Sequence, residues 1–282
     1  MKKYIRLIAI ALIIASLFLI SCEKEEEFVY HAAEKPDNVA VMGTVDDNGN
    51  NVNNSNNSNN NKNNGKKKVA LTYDDGPHNV YTEKIVDEME KYGFNATFFV
   101  VGNRVDGSAY NGASALLYAY EKGNEIGIHG YTHEKYYDSC SDDVYAGELN
   151  NTEKAIKSKI SSAKIKLMRP VGGKITEERI EESKYSVIMW SVDSEDWRYK
   201  YTPYSDYTDE EKAERVDTIV NNVMNNVREG SIILMHDIYE STYDASVIIL
   251  KRLYDEGYDV VSVSELLGNE LSAGKKFSQK SN

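Results

Sequence analysis

Two adjacent carboxylates, Asp74 and Asp75, are the first residues in this 282-residue chain whose placement could do chemistry. They close the apolar run Val69-Ala70-Leu71-Thr72-Tyr73, which reads as a strand, and Gly76-Pro77 turns the backbone directly after them. Neighbours on a strand point to opposite sides, so the two acids can serve two purposes. Taken alone, an ordinary acidic Asp-Gly turn explains the pair equally well. What shifts the balance is that other polar groups also fall at the ends of apolar runs. His129 does so, with His133 four residues on, as do Arg169, Asp193 and His236. Three of the five histidines belong to this set, and a structural histidine has no reason to prefer strand ends.

His129 and His133 have a spacing that lets two imidazoles meet one ion across a tight turn. By themselves they are a weak signal, and two surface histidines are the commoner explanation of such a pair. With a strand-end carboxylate beside them they become a three-ligand set with open positions for water. Such a set suits a catalytic divalent metal; zinc is the expected ion, with cobalt or manganese as alternatives.

These residues need a scaffold that brings strand ends together. Strands are expected over Val69–Tyr73, Ala96–Val101, Glu125–His129, Ile165–Met168, Val187–Val192, Ser231–His236 and Asp259–Val263. Helical patterns fall between them: Tyr81–Tyr92, Ala113–Lys122, Asp142–Ile160 (started by Ser141), Thr176–Ser183, Asp209–Arg228 and Asp244–Glu256. Regular alternation implies parallel strands under covering helices, an α/β class. The count fits a closed or nearly closed barrel better than an open sheet, and in such barrels function collects at the carboxyl ends of the strands.

The amino terminus reads as an export signal. Lys2 and Lys3 precede an almost unbroken apolar run from Leu7 to Ile20, short for a membrane span. It ends in Leu19-Ile20-Ser21-Cys22, which resembles the cleavage box of bacterial lipoproteins, with Cys22 as the lipidated first residue of the mature chain. An uncleaved membrane anchor is the alternative. Residues 1–21 carry Lys2, Lys3 and Arg6 and no acid, so their removal takes the net charge from -12 to -15. That acidity argues against nucleic acid and against adhesion to anionic lipid. Two cysteines, Cys22 and Cys140, are too few for a disulfide framework. Residues 22–66 are acidic and then asparagine-rich, with little to bury, and read as a disordered spacer reaching roughly 35–40 Å. The folded domain is expected over 67–269, with 270–282 as a frayed polar tail.

Thr72–Pro77, His129–His133, Arg169-Pro170, Asp193–Trp197 and Leu234-Met235-His236 together resemble, in order and approximate spacing, the polysaccharide deacetylases of the NodB-homology group, carbohydrate esterase family 4. The resemblance covers about residues 66–268. It implies a distorted (β/α) barrel of about seven parallel strands and a single divalent metal held by Asp75, His129 and His133. It implies further that Asp74 is the catalytic base, oriented by Arg169, and that His236 is the general acid, paired with Asp193. Trp197 and Leu234 would line the substrate pocket. A metal acidifies the water it holds, Asp74 can take that water's proton, and His236 can protonate the leaving amine if a carboxylate keeps it charged.

This chain departs from the family pattern in three places. Where the family usually has Arg-Pro-Pro-Tyr-Gly, it has Arg169-Pro170-Val171-Gly172-Gly173, so Gly172 stands in the tyrosine slot and an aromatic wall is lost. Glu134 replaces the usual proline after the second histidine, and the stretch from Gly173 to Trp190 is a few residues short. Tyrosine is abundant, 21 of 282 residues, with Tyr136 and Tyr137 near the expected mouth. Stacking on sugar rings and ordinary half-burial are both open to them. The resulting expectation is a monomeric, extracytoplasmic, lipid-anchored enzyme that removes N-acetyl groups from a cell-envelope polysaccharide such as peptidoglycan. O-deacetylation of an acetylxylan-type polymer, or non-catalytic glycan binding, are the alternatives.

Overall fold

The computed structural model of the chain describes residues 65–107, 112–199 and 202–281. The expected signal peptide, Cys22 and most of the spacer lie outside them. The first strand, β1 (Lys67–Asp74), is central: it pairs in parallel with β2 (Thr97–Val100) on one side and β7 (Ile232–His236) on the other. From β2 the sheet continues through β3 (Glu125–Ile128), β4 (Leu167–Met168), β5 (Ser186–Ile188) and β9 (Lys276–Phe277). Beyond β7 lies β6 (Val192–Asp193), while β8 (Tyr258–Val260) pairs with the start of β1. All of these pairings are parallel, as alternation with helices requires.

Side-chain alternation along β1 divides the core in two. Val69, Leu71 and Tyr73 face outward and pack with helix residues such as Ile85, Met89 and Ile249. Ala70 faces inward with Phe99, Leu167, Ile188 and Ile232, and Thr72 and Asp74 follow it on that face by the period of two. The outer layer is supplied by α1 (Tyr81–Glu90), α2 (Gly102–Asp106), α3 (Ala113–Glu121), α4 (Asp142–Lys159), α5 (Glu177–Glu181), α6 (Asp209–Met224) and α7 (Glu240–Asp255). The inner cluster is floored by α8 (Val263–Leu267), whose Val263, Leu266 and Leu267 join it. Ser141 caps α4 by accepting from the Val144 N–H, and Thr208 with Glu211 forms a capping box on α6.

Two expectations need correction. The strand expected over Val187–Val192 is divided: Ser186–Ile188 pairs with β4, whereas Val192–Asp193 pairs with β7 at the other end of the sheet. The chain leaves the ladder between them, and there the carbonyls of Ile188 and Met189 accept hydrogen bonds from Arg169. The carboxyl-terminal tail, expected to fray, is ordered through Ser281 and supplies β9. Phe277 packs on the inner cluster, and the Met189 N–H donates to the Phe277 carbonyl at 2.7 Å. Farther on, the Lys280 N–H donates to the Gly230 carbonyl at 2.9 Å, so the tail spans the seam between the two ends of the curled sheet. An apolar aromatic and free backbone donors gave this polar-looking segment something to bury and pair.

Candidate active site

Strand register sets the frame. Asp74 lies opposite Phe99 of β2 and opposite His236 of β7, so the proposed base and acid are neighbours across one ladder rung. His129 and Arg169 each come one residue after their strands, and each continues the ladder: the His129 N–H donates to Val100 and the Arg169 N–H to Ile128. The expected convergence at the carboxyl ends is therefore a matter of backbone pairing.

Arg169 is fully buried inside the barrel, and every nitrogen of its guanidinium has a partner. Nε donates to Ile188 O at 3.0 Å and Nη2 to Met189 O at 3.0 Å. Nη1 donates to Thr72 Oγ1 at 2.7 Å and to Asp74 Oδ1 at 2.8 Å. The plane lies over the Phe99 ring, 4.3 Å from its centroid. Burial pulls the Arg169 pKa down from its ordinary value, opposed by Asp74, but such a group stays charged. One oxygen of Asp74 is thus pinned, while Oδ2 stands 3.6 Å from His129 Nε2.

Asp75 turns to the other side. Its Oδ1 stands 3.3 Å from His129 Nε2 and 2.9 Å from His133 Nε2, and these three residues form a cluster able to hold a metal ion. The donor chemistry fits a cation. His129 Nδ1 donates to the Arg169 carbonyl at 2.9 Å, which leaves Nε2 to present a lone pair toward Asp75. Asp75 Oδ1 is buried and has no hydrogen bond of acceptable geometry, as expected of an atom aimed at an ion. Burial pushes the Asp75 carboxyl up, but the two imidazoles outweigh it and hold the group well below the usual carboxylate range. His129 is raised in turn: burial opposes its charge, while Asp74 and then Asp75 favour it. Asp75 and His133 both adopt left-handed backbone, at φ 72° and 62°. For non-glycine residues such geometry carries strain of about 1–3 kcal/mol and clusters at functional sites.

His236 is where the sequence expectation fails. The carboxylate against its ring belongs to Asp196, not Asp193. Asp196 Oδ1 accepts from His236 Nδ1 at 2.7 Å, and Asp196 Oδ2 accepts from the His236 N–H at 2.8 Å and from Thr242 Oγ1 at 2.7 Å. The register gives the reason. Asp193, the last residue of β6, lies opposite Leu234, two residues short of His236. Only the one-turn helix that follows, Asp196–Tyr199, reaches far enough to face the ring. Burial would lower the His236 pKa, but Asp196 outweighs it and pushes the group up to about 10. Asp193 instead accepts from the Glu195 N–H at 2.8 Å and from Trp197 Nε1 at 3.3 Å, bracing the turn that carries Asp196 and aiming the half-exposed Trp197. Asp196 lay inside the quoted Asp193–Trp197 motif, yet nothing in periodicity distinguishes it from its neighbour.

The remaining residues fall into place around this centre. Leu234 is buried on the inward face, one pleat below His236. Gly172 sits at φ 59°, and the exposed ring of Tyr136 stands 3.2 Å from where a Cβ on residue 172 would lie. An aromatic ring therefore borders this position, contributed by the loop after His133 rather than by residue 172. Asp237, unassigned by sequence reasoning, is buried behind Gly76 and takes a hydrogen bond from Thr82 Oγ1, and burial pushes its carboxyl up to about 7.

The chain matches the family model described as polysaccharide deacetylase over residues 61–186. The peptidoglycan-N-acetylglucosamine deacetylase PgdA of Listeria monocytogenes is 29% identical over 214 residues, 76% of this chain and 42% of the relative. The peptidoglycan-N-acetylmuramic acid deacetylase PdaC of Bacillus subtilis is 38% identical over 201 residues, 71% of this chain and 39% of the relative. The solved structure of PdaC aligns with TM-score 0.62 and 36% identity, covering 72% of this chain and 90% of that one. A family 4 acetyl xylan esterase from Clostridium thermocellum, solved with a cobalt ion, aligns with TM-score 0.60 and 29% identity, covering 71% and 90%. This chain thus spans about two fifths of the length of the two relatives compared by sequence.

Proposed function

Since the chain belongs to the polysaccharide deacetylase family, we propose that it hydrolyses acetyl groups from an acetylated cell-wall polysaccharide, with N-acetylglucosamine of peptidoglycan as the leading substrate. The observation that carries this reading is the separation of two carboxylates on one turn, Asp74 held by Arg169 and Asp75 facing two imidazoles. A divalent cation, zinc by the donor set, would be held by Asp75, His129 and His133 and would supply Lewis acidity and an acidified water.

The protein's own groups do the rest. Asp74, with Oδ1 pinned by Arg169, takes a proton from the attacking water through Oδ2. The acetyl carbon becomes tetrahedral, and the C–N bond breaks as His236 delivers a proton from Nε2 to the amine. Asp196 holds the ring by Nδ1 and stabilises its charge, which is the arrangement an acid needs to stay protonated near neutrality. Acetate and a free amine leave.

Peptidoglycan is favoured by the cell-wall substrates that the relatives' names state and by the acidic chain, which a cationic, deacetylated product would not repel. A tether through Cys22 would keep the domain outside the membrane beside the wall. Acetate release from peptidoglycan, chitooligosaccharide and acetylxylan tests the reading. Release from the first two at rates well above the third supports it, whereas release from acetylxylan alone would assign an O-deacetylase.

A further inference from the structure

His129 is aimed through its own ring, by the hydrogen bond from Nδ1 to the Arg169 carbonyl. His133 stands half-exposed on a loop at φ 62°, so its aim depends on how that loop's backbone is held. The holding group is one buried carboxylate on the neighbouring helix. Glu148 of α4 accepts from the Tyr131 N–H at 2.7 Å and the Thr132 N–H at 2.9 Å through Oε2. Its Oε1 accepts from Thr132 Oγ1 at 2.8 Å. The same threonine hydroxyl accepts from the Glu134 N–H at 3.3 Å, so the network brackets His133 from both sides. The loop's carbonyls are held from the opposite side, where the Gly102 and Asn103 N–H groups of α2 donate to Gly130 O and Tyr131 O.

We infer that Glu148 is a positioning residue of the metal centre: it fixes the strained turn that turns His133 toward Asp75, with Thr132 as its relay. A buried carboxylate accepting two backbone N–H groups and a hydroxyl forms charge-assisted bonds, the stronger kind. Without them the left-handed residue has no reason to keep its conformation, since the surrounding structure must over-determine such strain. Groups that orient metal ligands from behind are worth about 10–100-fold in metal affinity. This inference rests on the metal reading of Asp75, His129 and His133.

The test is zinc affinity of the full-length chain, measured by chelator competition, together with the visible spectrum of the cobalt form. Glu148→Ala is expected to weaken zinc by about 10–100-fold and to alter the cobalt spectrum. Glu148→Gln, which keeps an acceptor but not the charge, should fall between it and the parent. Thr132→Val, which keeps the carboxylate and removes the relay, should weaken zinc as well and serves if Glu148→Ala does not fold. Ile156→Val, a buried change on the same helix, loosens packing by about 0.5–1.5 kcal/mol and should leave zinc affinity unchanged. Parental affinity in Glu148→Gln and Thr132→Val together, or equal weakening by Ile156→Val, would overturn the inference. Failure of the parent chain to bind zinc or cobalt would instead remove the metal reading itself.

Discussion

Replacing Asp196 by Asn keeps the shape of the side chain and removes one charge from a fully buried position that satisfies three donors. An amide cannot accept at both of its ends, so its NH2 group faces either the His236 Nδ1–H or both the His236 N–H and the Thr242 hydroxyl. Breaking a buried ionic pair in this way costs about 3–5 kcal/mol. For a folded part of this size that corresponds to a fall in Tm of roughly 6–20 °C. The effect on the proton is more diagnostic. His236 is held at about 10 against the pull of burial, and Asp196 is the main reason. With that charge gone, burial pulls the ring back down toward its ordinary value of 6.5, opposed only by the more distant charges of Asp75 and Asp74. The alkaline limb of kcat/KM should move down by several pH units, and activity at pH 8 should drop by about 100- to 1,000-fold, within the usual worth of a general acid. Linkage adds a second readout. A histidine raised on folding stabilises fully below pH 6.5, and that contribution is lost as pH rises through about 10. Asp196→Asn should flatten that part of the stability profile. Asp193→Asn, measured in the same metal state, should leave the alkaline limb in place. If the limb moved in Asp193→Asn and stayed in Asp196→Asn, the assignment of the pair would be refuted.

Two further outcomes follow from packing. A Cβ on Gly76 would lie 2.3 Å from both carboxylate oxygens of Asp237, so Gly76→Ala should destabilise by about 1–3 kcal/mol through overpacking. Adding Asp237→Ala should recover part of that loss in a double-mutant cycle followed by denaturant unfolding. Deleting residues 272–282 removes β9 and Phe277 from β5, whose Ile188 carbonyl, with that of Met189, holds Arg169. The melting temperature and turnover should both fall; a truncated chain with parental values would mean that the tail contributes nothing.

The sequence made the strand ends legible because apolar runs ending in a titratable residue are rare and local. Asp74, Asp75, His129, Arg169 and His236 all meet in space for that reason. The pairing of His236 was not legible. Asp193 and Asp196 are both acids within one short motif, and only the β6–β7 register decides which one the ring meets. The tail was misjudged because β9 is two residues long, Lys276 and Phe277, and leaves no period to read. Likewise the run from Val187 to Val192 is apolar but for Ser191 and reads as one strand, and what divides it is Arg169, distant in sequence, drawing off two carbonyls. Glu148 sits in a helix whose polar residues look like a solvated face until the loop at Thr132 is placed against it.

The central claim is the division of labour between Asp74 and Asp75, and one paired measurement tests it: zinc content and acetate release for Asp74→Asn and His133→Ala against the parent chain. The account predicts that Asp74→Asn retains zinc and loses turnover by about 100-fold or more, while His133→Ala loses the zinc. Full acetate release from Asp74→Asn, or parental zinc content in His133→Ala, would contradict it.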